Sequence, residues 1–182
     1  METKHTINRG AGGISWNGSI ISVTGNLIRG DSSVNECTGT LIKPVMFKFS
    51  ANIYTDQTYS TFRVLLFRWK DSSTPVPSGI INYTGSAEAP HGPVSWVNFR
   101  KIVILHDEVV ALKPRAAASS FDNVIVKFDV PLGNSPPIQL PLSGAGATPQ
   151  MNGLYLLFVS DDSIITFPGI VWTGELRYTD IS

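Results

Sequence analysis

The chain has 182 residues, a length typical of one domain that buries its own core without disulfides or metals. Its 16 glycines and 12 prolines, with 10% aromatic and only 15% charged residues, are typical of strands joined by turns rather than of helices. Fourteen basic and fourteen acidic side chains cancel, which excludes long-range attraction to nucleic acid or anionic membrane and favours contact between copies of the chain.

Cys37 is the only cysteine, so an intramolecular disulfide is excluded and we expect a small buried side chain there. The N-terminus lacks the apolar segment of an export signal, and the longest apolar run is far shorter than the roughly 20 residues of a membrane span. These features predict a soluble chain without a membrane partner.

The N-terminal third holds an arm, a weak strand and a loop. The polar stretch 1–13 ends in glycines, which predicts a flexible N-terminal arm before a single domain of residues 14–182. A weak strand with a turn at Asn17 and Gly18 follows, and turn-forming residues predict a long loop over 24–40. From Leu41 to Tyr54 the apolar odd positions, Val45 included, predict a long strand with one wet face.

The stretch Thr61–Pro77 (TFRVLLFRWKDSSTPVP) begins with a strand that is apolar on both faces and ends in turn formers. It therefore predicts a central strand between two packed layers, and residues 151–160 predict a second one. Further strands are predicted at 99–112, 121–130 and 170–178, with long Pro/Gly loops at 75–93 and 131–149.

The pattern gives about seven or eight strands separated by loops of uneven length. Short hairpins would indicate a meander, whereas long excursions favour strands that cross between two sheets. We therefore predict an all-β fold, an eight-stranded antiparallel jelly-roll sandwich.

Catalytic groups are few and scattered. His5, His91 and His106 lie in an arm, a loop and a strand, with no spacing typical of a zinc or iron site. His106 and Asp107 are neighbours in a strand and point to opposite faces, which argues against a base and its orienting partner. We predict that the chain is not an enzyme, a cupin-type enzyme included.

Acidic residues at loops offer hard oxygen ligands, and calcium could bind where neighbouring subunits complete the shell. The residues concerned are Asp31, Asn35, Glu36, Asp161, Asp162 and Asp180. Because no EF-hand spacing is present, solvated turn carboxylates are the favoured interpretation, and Asp31 is a candidate ligand only.

Four motifs together resemble one family. They are the loop Gly30-Asp-Ser-Ser-Val-Asn35, the strand Phe62 to Asp71 with Thr74-Pro75, the strand Arg100-Lys-Ile-Val-Ile-Leu-His-Asp107, and the ending Arg177-Tyr-Thr-Asp180. Their order and spacing resemble satellite tobacco necrosis virus-like coat proteins and related capsid proteins of small circular single-stranded DNA viruses.

This resemblance implies a single jelly-roll coat protein that self-assembles, about sixty copies at a time, into a small icosahedral shell around a single-stranded genome. It implies a location in the virion, after assembly inside the host cell. It also implies calcium between subunits, with Asp180 as a ligand, so a chelator should loosen the particles.

The chain departs from the family at its N-terminus. Such coat proteins begin with an Arg/Lys-rich arm, but only Lys4 and Arg9 precede the first predicted strand here. Either a basic arm is missing from this sequence, or interior side chains contact the genome; Arg63, Arg68 and Lys70 are the candidates.

A different class of function stays open. In a carbohydrate- or receptor-binding jelly-roll module, Trp16, Trp96 or Trp172 would stack on sugar rings. Each of these tryptophans also fits a core or interface position.

Overall fold

The computed structural model describes residues 3–29, 36–37, 39–55, 59–112, 122–140, 151–162 and 168–181. Their strands are β1 (Thr3–Gly13), β2 (Ser19–Ser22), β3 (Ile28–Arg29), β4 (Glu36–Cys37), β5 (Leu41–Thr55), β6 (Ser60–Trp69), β7 (Ile102–Leu112), β8 (Asp122–Pro131), β9 (Ile138–Gln139), β10 (Gly153–Ser160) and β11 (Gly169–Ile181). A helical turn, α1 (Pro77–Ile80), and a 3-10 helix (Ser86–His91) lie between β6 and β7. In these ranges no helix is long and apolar enough to cross a bilayer.

Nine of these strands form two antiparallel sheets. The first sheet has the order β1-β11-β5-β8, with β9 also on β5, and the second has the order β2-β10-β6-β7. Strands that are neighbours in a sheet are therefore mostly distant in sequence, and the chain passes repeatedly from one sheet to the other. This is the two-Greek-key arrangement of a jelly roll, so the predicted fold class is confirmed.

The two predicted central strands are confirmed as β6 and β10, which hydrogen-bond to each other along Gly153↔Trp69 to Ser160↔Phe62. One face of each packs into the core between the sheets. The other face is covered by the long segment between β6 and β7, which adds a second apolar cluster around Ile80, Ile81 and Ala89. Burial on both faces explains why their sequences are apolar without alternation.

Aromatic rings fill the centre of the sandwich. Phe49 stacks on Phe128 with 4.8 Å between ring centroids, and it lies 6.0 Å from Phe158 and 6.3 Å from Trp172. These rings come from three strands of the first sheet and one of the second, so the cluster joins the two layers.

The structure corrects the prediction of a flexible arm at the N-terminus. Residues Thr3–Gly13 form β1 and pair with β11 from Thr3↔Thr179 to Gly13↔Gly169. The inward-facing positions are polar or glycine: Thr6 and Asn8 are buried, and the Asn8 amide donates to the Val23 carbonyl at 2.8 Å. Because no apolar alternation marks this strand, its composition predicted a loop.

A bulge changes which face of β5 is buried. Arg177 pairs with Met46 and Tyr178 pairs with Pro44, so the pairing skips Val45. Before this bulge an even-numbered residue, Ile42, is buried, and after it the buried residues are odd-numbered, beginning with Phe47. Val45, predicted to face inward, is therefore 38% exposed.

Candidate functional site

The three predicted genome-contacting residues do not form one patch. Arg63 and Arg68 lie on opposite faces of β6, while Lys70 follows the strand and is exposed. The sequence placed them together only because they are close along the chain.

Arg63 has an internal role. Its guanidinium forms a bidentate ion pair with Asp107, at 2.7 Å from Nε and 2.6 Å from Nη2. Its Nη1 donates to the carbonyls of Pro90 and Gly92, and the side chain is only 8% exposed. This guanidinium therefore attaches the C-terminal end of the 3-10 helix to β6 and β7 rather than reaching outward.

Arg68 lies on the same face of β6 as Val64 and Leu66, which is the face that packs between the sheets. Its Nε and Nη1 atoms are buried and have no hydrogen-bond partner among the described residues, and this burial lowers its pKa. The described geometry does not present it on a surface that follows a nucleic-acid strand.

The predicted calcium ligand Asp180 accepts a hydrogen bond from the ammonium of Lys4 at 2.8 Å, and its side chain is 15% exposed. A cation bound here would replace that ammonium. Among the residues that the structure describes, no three His, Cys, Asp or Glu side chains converge as a metal site. Calcium at Asp180 stays a prediction, and Asp31 lies outside the described residues.

The histidines lie on separate elements. His106 stacks on Phe128 with 3.8 Å between ring centroids and is 3.2 Å from Glu108. His5 is exposed on β1, and His91 is exposed at the end of the 3-10 helix. Each has a different environment, and the geometry assigns them no shared chemistry.

An exposed apolar surface lies beside α1, and we name it the loop patch: Val76, Trp96, Val97 and Phe99. These side chains are 55%, 77%, 88% and 55% exposed. Val76 and Asn98 both approach Gly79, and the Asn98 amide donates to the Gly79 carbonyl at 3.0 Å, which holds the two parts of the patch together. Such a concentration of exposed aromatic and aliphatic side chains is typical of an interface.

The outer face of the first sheet is basic. The pairing of β1, β11, β5 and β8 places five basic and two acidic side chains on this face. The basic residues are Arg9, Lys43, Lys48, Lys127 and Arg177, and the acidic ones are Asp129 and Glu175. Both acids are paired with bases, Lys48 to Asp129 at 3.8 Å and Arg177 to Glu175 at 2.8 Å. The remaining three bases give this basic face a local positive charge on a neutral chain.

No protein-family model matches the sequence, and no curated protein matches it. Among solved structures, a chain described as Desmodium yellow mottle tymovirus aligns with 99% of this chain and 89% of its own length, at 9% identity and a TM-score of 0.38. A chain described as KBV activated particle at acidic pH aligns with 97% of this chain and 70% of its own length, at 11% identity and a TM-score of 0.40. Similarity at this level says nothing about the function of the chain.

Two features escaped the sequence reasoning. Phe99 was assigned to the start of a strand, but β7 begins at Ile102 and Phe99 lies in the turn before it. The signal was the polar pair Arg100 and Lys101 between Phe99 and the β-branched run. The basic face has no local signal, because its residues are far apart in sequence and meet only through strand pairing.

Proposed function

We propose that this chain is a viral capsid protein, whose copies assemble into a small closed shell around a single-stranded genome. It would act in the virion after assembly inside the host cell. The loop patch is the observation that carries the proposal, because a chain with Trp96 at 77% and Val97 at 88% exposure presents an apolar surface suited to burial against a partner.

A second copy of the chain is the partner that fits best. The net charge is zero, so copies do not repel one another, and the jelly roll is a rigid platform for its surface loops. Aromatic anchors such as Trp96 and Phe99 are the residue types that dominate the energetics of interfaces. The sequence motifs that resemble satellite tobacco necrosis virus-like coat proteins support the same assignment.

A structural rather than catalytic role also follows from where the polar chemistry lies. The most buried charged side chain of the described chain, Arg63, holds a loop to the sheet. The histidine nearest to the core, His106, packs on Phe128 rather than facing a pocket. These groups support architecture, and we propose that the chain catalyses no reaction.

Genome contact is best supported at the basic face. A neutral protein needs a local patch to hold a polyanion, and Arg9, Lys43 and Lys127 have no ion-pair partner among the described residues. This face replaces the three residues predicted from sequence as the candidate nucleic-acid surface.

Sedimentation velocity with negative-stain electron microscopy tests assembly. We expect the unmodified chain to form closed particles, and Val97→Asp to stay as monomers or small oligomers, because it places a charge within an apolar contact. Asn134→Asp is the matched control, since it adds the same charge at an exposed turn position outside the patch. An unmodified chain that stays monomeric under all mild conditions overturns the capsid proposal, and a Val97→Asp chain that assembles normally excludes the loop patch as the contact.

A further inference from the structure

A pocket of about 410 Å³ lies between the turn after β1 and the segment after α1. Its aromatic wall is formed by Trp16 and Tyr83, whose ring centroids are 6.0 Å apart with planes at 82°. Ile81, which is fully buried, adds an apolar surface. The size falls within the range of about 300–1,000 Å³ that is typical of small-molecule sites.

The remaining lining side chains are neutral and polar. They are Asn17, Ser78, Asn82 and Thr84, and all four are exposed. The two carboxamides have no hydrogen-bond partner among the described residues, and each offers both donors and an acceptor. The Thr84 hydroxyl donates to Glu88 at 2.6 Å, which leaves its lone pairs to accept a hydrogen bond.

The backbone around the pocket is fixed by the fold. The Trp16 amide donates to the Asp162 carbonyl and the Asn82 amide donates to the Pro93 carbonyl, each at 2.8 Å. Gly18 closes a turn on Ser15 with a positive φ of 74°. Because these bonds hold both walls, a ligand would not need to order the chain before it binds.

The chemistry of the lining selects one ligand class. No charged side chain lines the pocket among the residues that the structure describes, which disfavours phosphates and carboxylates as ligands. A purely apolar ligand would displace water from the amides and hydroxyls without replacing its hydrogen bonds. A ring with one C–H face for an aromatic side chain and hydroxyls at its edge satisfies both parts of the lining.

We propose that this pocket binds one pyranose ring of a neutral carbohydrate. The Trp16 indole lies against the C–H face of the sugar, the Tyr83 ring borders the edge of the sugar, and the carboxamides of Asn17 and Asn82 hydrogen-bond to its hydroxyls. The site is independent of shell assembly, because it requires only side chains of a single copy.

Saturation-transfer difference NMR tests the proposal on the purified chain. The probes are methyl α-D-glucopyranoside, methyl α-D-galactopyranoside and N-acetyl-D-glucosamine at millimolar concentration. Sorbitol serves as the control ligand, since it is a neutral polyhydroxylated six-carbon chain without a ring. We expect saturation of the ring C–H protons of at least one pyranose and none of sorbitol.

Variants then assign the binding to the pocket. Asn82→Ala should weaken the pyranose about five- to tenfold because its carboxamide hydrogen bonds are removed, and Trp16→Ala should abolish its saturation. The matched controls Asn123→Ala and Tyr59→Ala alter an exposed asparagine and an exposed aromatic residue outside the lining, and should leave pyranose binding unchanged. If Trp16→Ala does not fold, Asn82→Ala and Tyr83→Ala decide the question, since Tyr83→Ala removes the second aromatic ring of the wall.

Three results would overturn the proposal: no saturation of any pyranose, equal saturation of sorbitol, or equal weakening by the control and the pocket variants. Because binding is measured per chain, a chain that binds a pyranose without forming shells refutes the capsid proposal alone. A chain that forms shells but binds no pyranose refutes the pocket alone.

Discussion

Gly10 lies opposite Trp172 in the pairing of β1 with β11, and a Cβ added there would fall 2.6 Å from the indole Nε1. We therefore expect Gly10→Ala to lower the free energy of unfolding by about 1–3 kcal/mol, since the core must shift to admit the methyl group. Gly12→Ala is the control on the same strand, because a Cβ there meets nothing within 4 Å. Urea denaturation measures both, and equal stabilities of the two variants would show that the indole moves freely.

The same glycine shows what composition cannot reveal. In the sequence, Gly10, Gly12 and Gly13 suggest a flexible arm, because glycine loses more conformational entropy than any other residue when its backbone becomes ordered. In the structure, Gly10 makes room for a large ring on the next strand. A single sequence does not distinguish a glycine that permits flexibility from one that permits close packing.

Tyr155 gives the stability a dependence on high pH. Burial raises its pKa from 10.0 to about 12, so the folded chain holds the neutral phenol while the unfolded chain ionises. The stability that Tyr155 contributes should be complete below pH 10 and decline as the pH rises from 10 to 12, with a loss of about 1 kcal/mol by pH 11. Burial also raises the pKa of Cys37 to about 11, which adds a loss that begins near pH 9.

Urea denaturation at pH 7, 9 and 11 checks the contribution of Tyr155. Tyr155→Phe should reduce the slope of stability against pH, whereas Tyr59→Phe should leave it unchanged, because Tyr59 is 74% exposed. If both variants keep the slope of the unmodified chain, the phenol of Tyr155 ionises as easily in the folded as in the unfolded state.

Among the elements, the segment that carries the 3-10 helix depends on one buried ion pair. Asp107→Ala would leave the Arg63 guanidinium, 8% exposed, without its carboxylate, and Asp107 itself is 33% exposed. We expect a loss of about 1–3 kcal/mol, since a buried charge is left without its partner while water reaches the site from one side. Asp129→Ala removes an exposed pair with Lys48 and should cost about 0.5 kcal/mol or less.

Limited proteolysis with urea denaturation distinguishes a local from a global effect of Asp107→Ala. Faster cleavage near Pro90 and Gly92 is expected, because Arg63 is the side chain that holds their carbonyls. Cleavage and stability that match those of Asp129→Ala would mean that other contacts hold this segment.

Strands were predictable where burial imposes a pattern. The two central strands agree with the sequence prediction, because burial on both faces leaves a continuous apolar run that is visible in one strand alone. The exposure of Val45 and the strand β1 were not predictable. The bulge in β5 is set by its pairing with β11, and the buried polar residues of β1 depend on partners elsewhere in the chain. A local sequence pattern thus predicts where a strand lies, whereas the pairing with neighbouring strands determines which of its faces is buried.

For the whole molecule, the jelly roll was predictable from loop lengths and strand number, whereas its surfaces were not. The loop patch joins Val76 to residues some twenty positions later, and the basic face joins Arg9 to Lys127. Arg63, Arg68 and Lys70 were grouped by sequence distance, but strand alternation separates them. Residues that are far apart in sequence share a surface only through strand pairing, so the surface can be identified only once the sheet topology is known.

The basic face predicts how the molecule responds to salt when it binds a polyanion. Arg9→Gln/Lys127→Gln should weaken binding of a single-stranded oligonucleotide and lower the slope of log affinity against log salt by about 0.7 for each phosphate that is no longer neutralised. Lys70→Gln/Arg100→Gln removes the same charge from exposed positions away from this face, and should leave the slope unchanged. Fluorescence anisotropy with a homopolymeric oligonucleotide across a series of NaCl concentrations measures both. An equal fall in slope for the two double variants would mean that net charge alone, and not the first sheet, governs binding of the oligonucleotide.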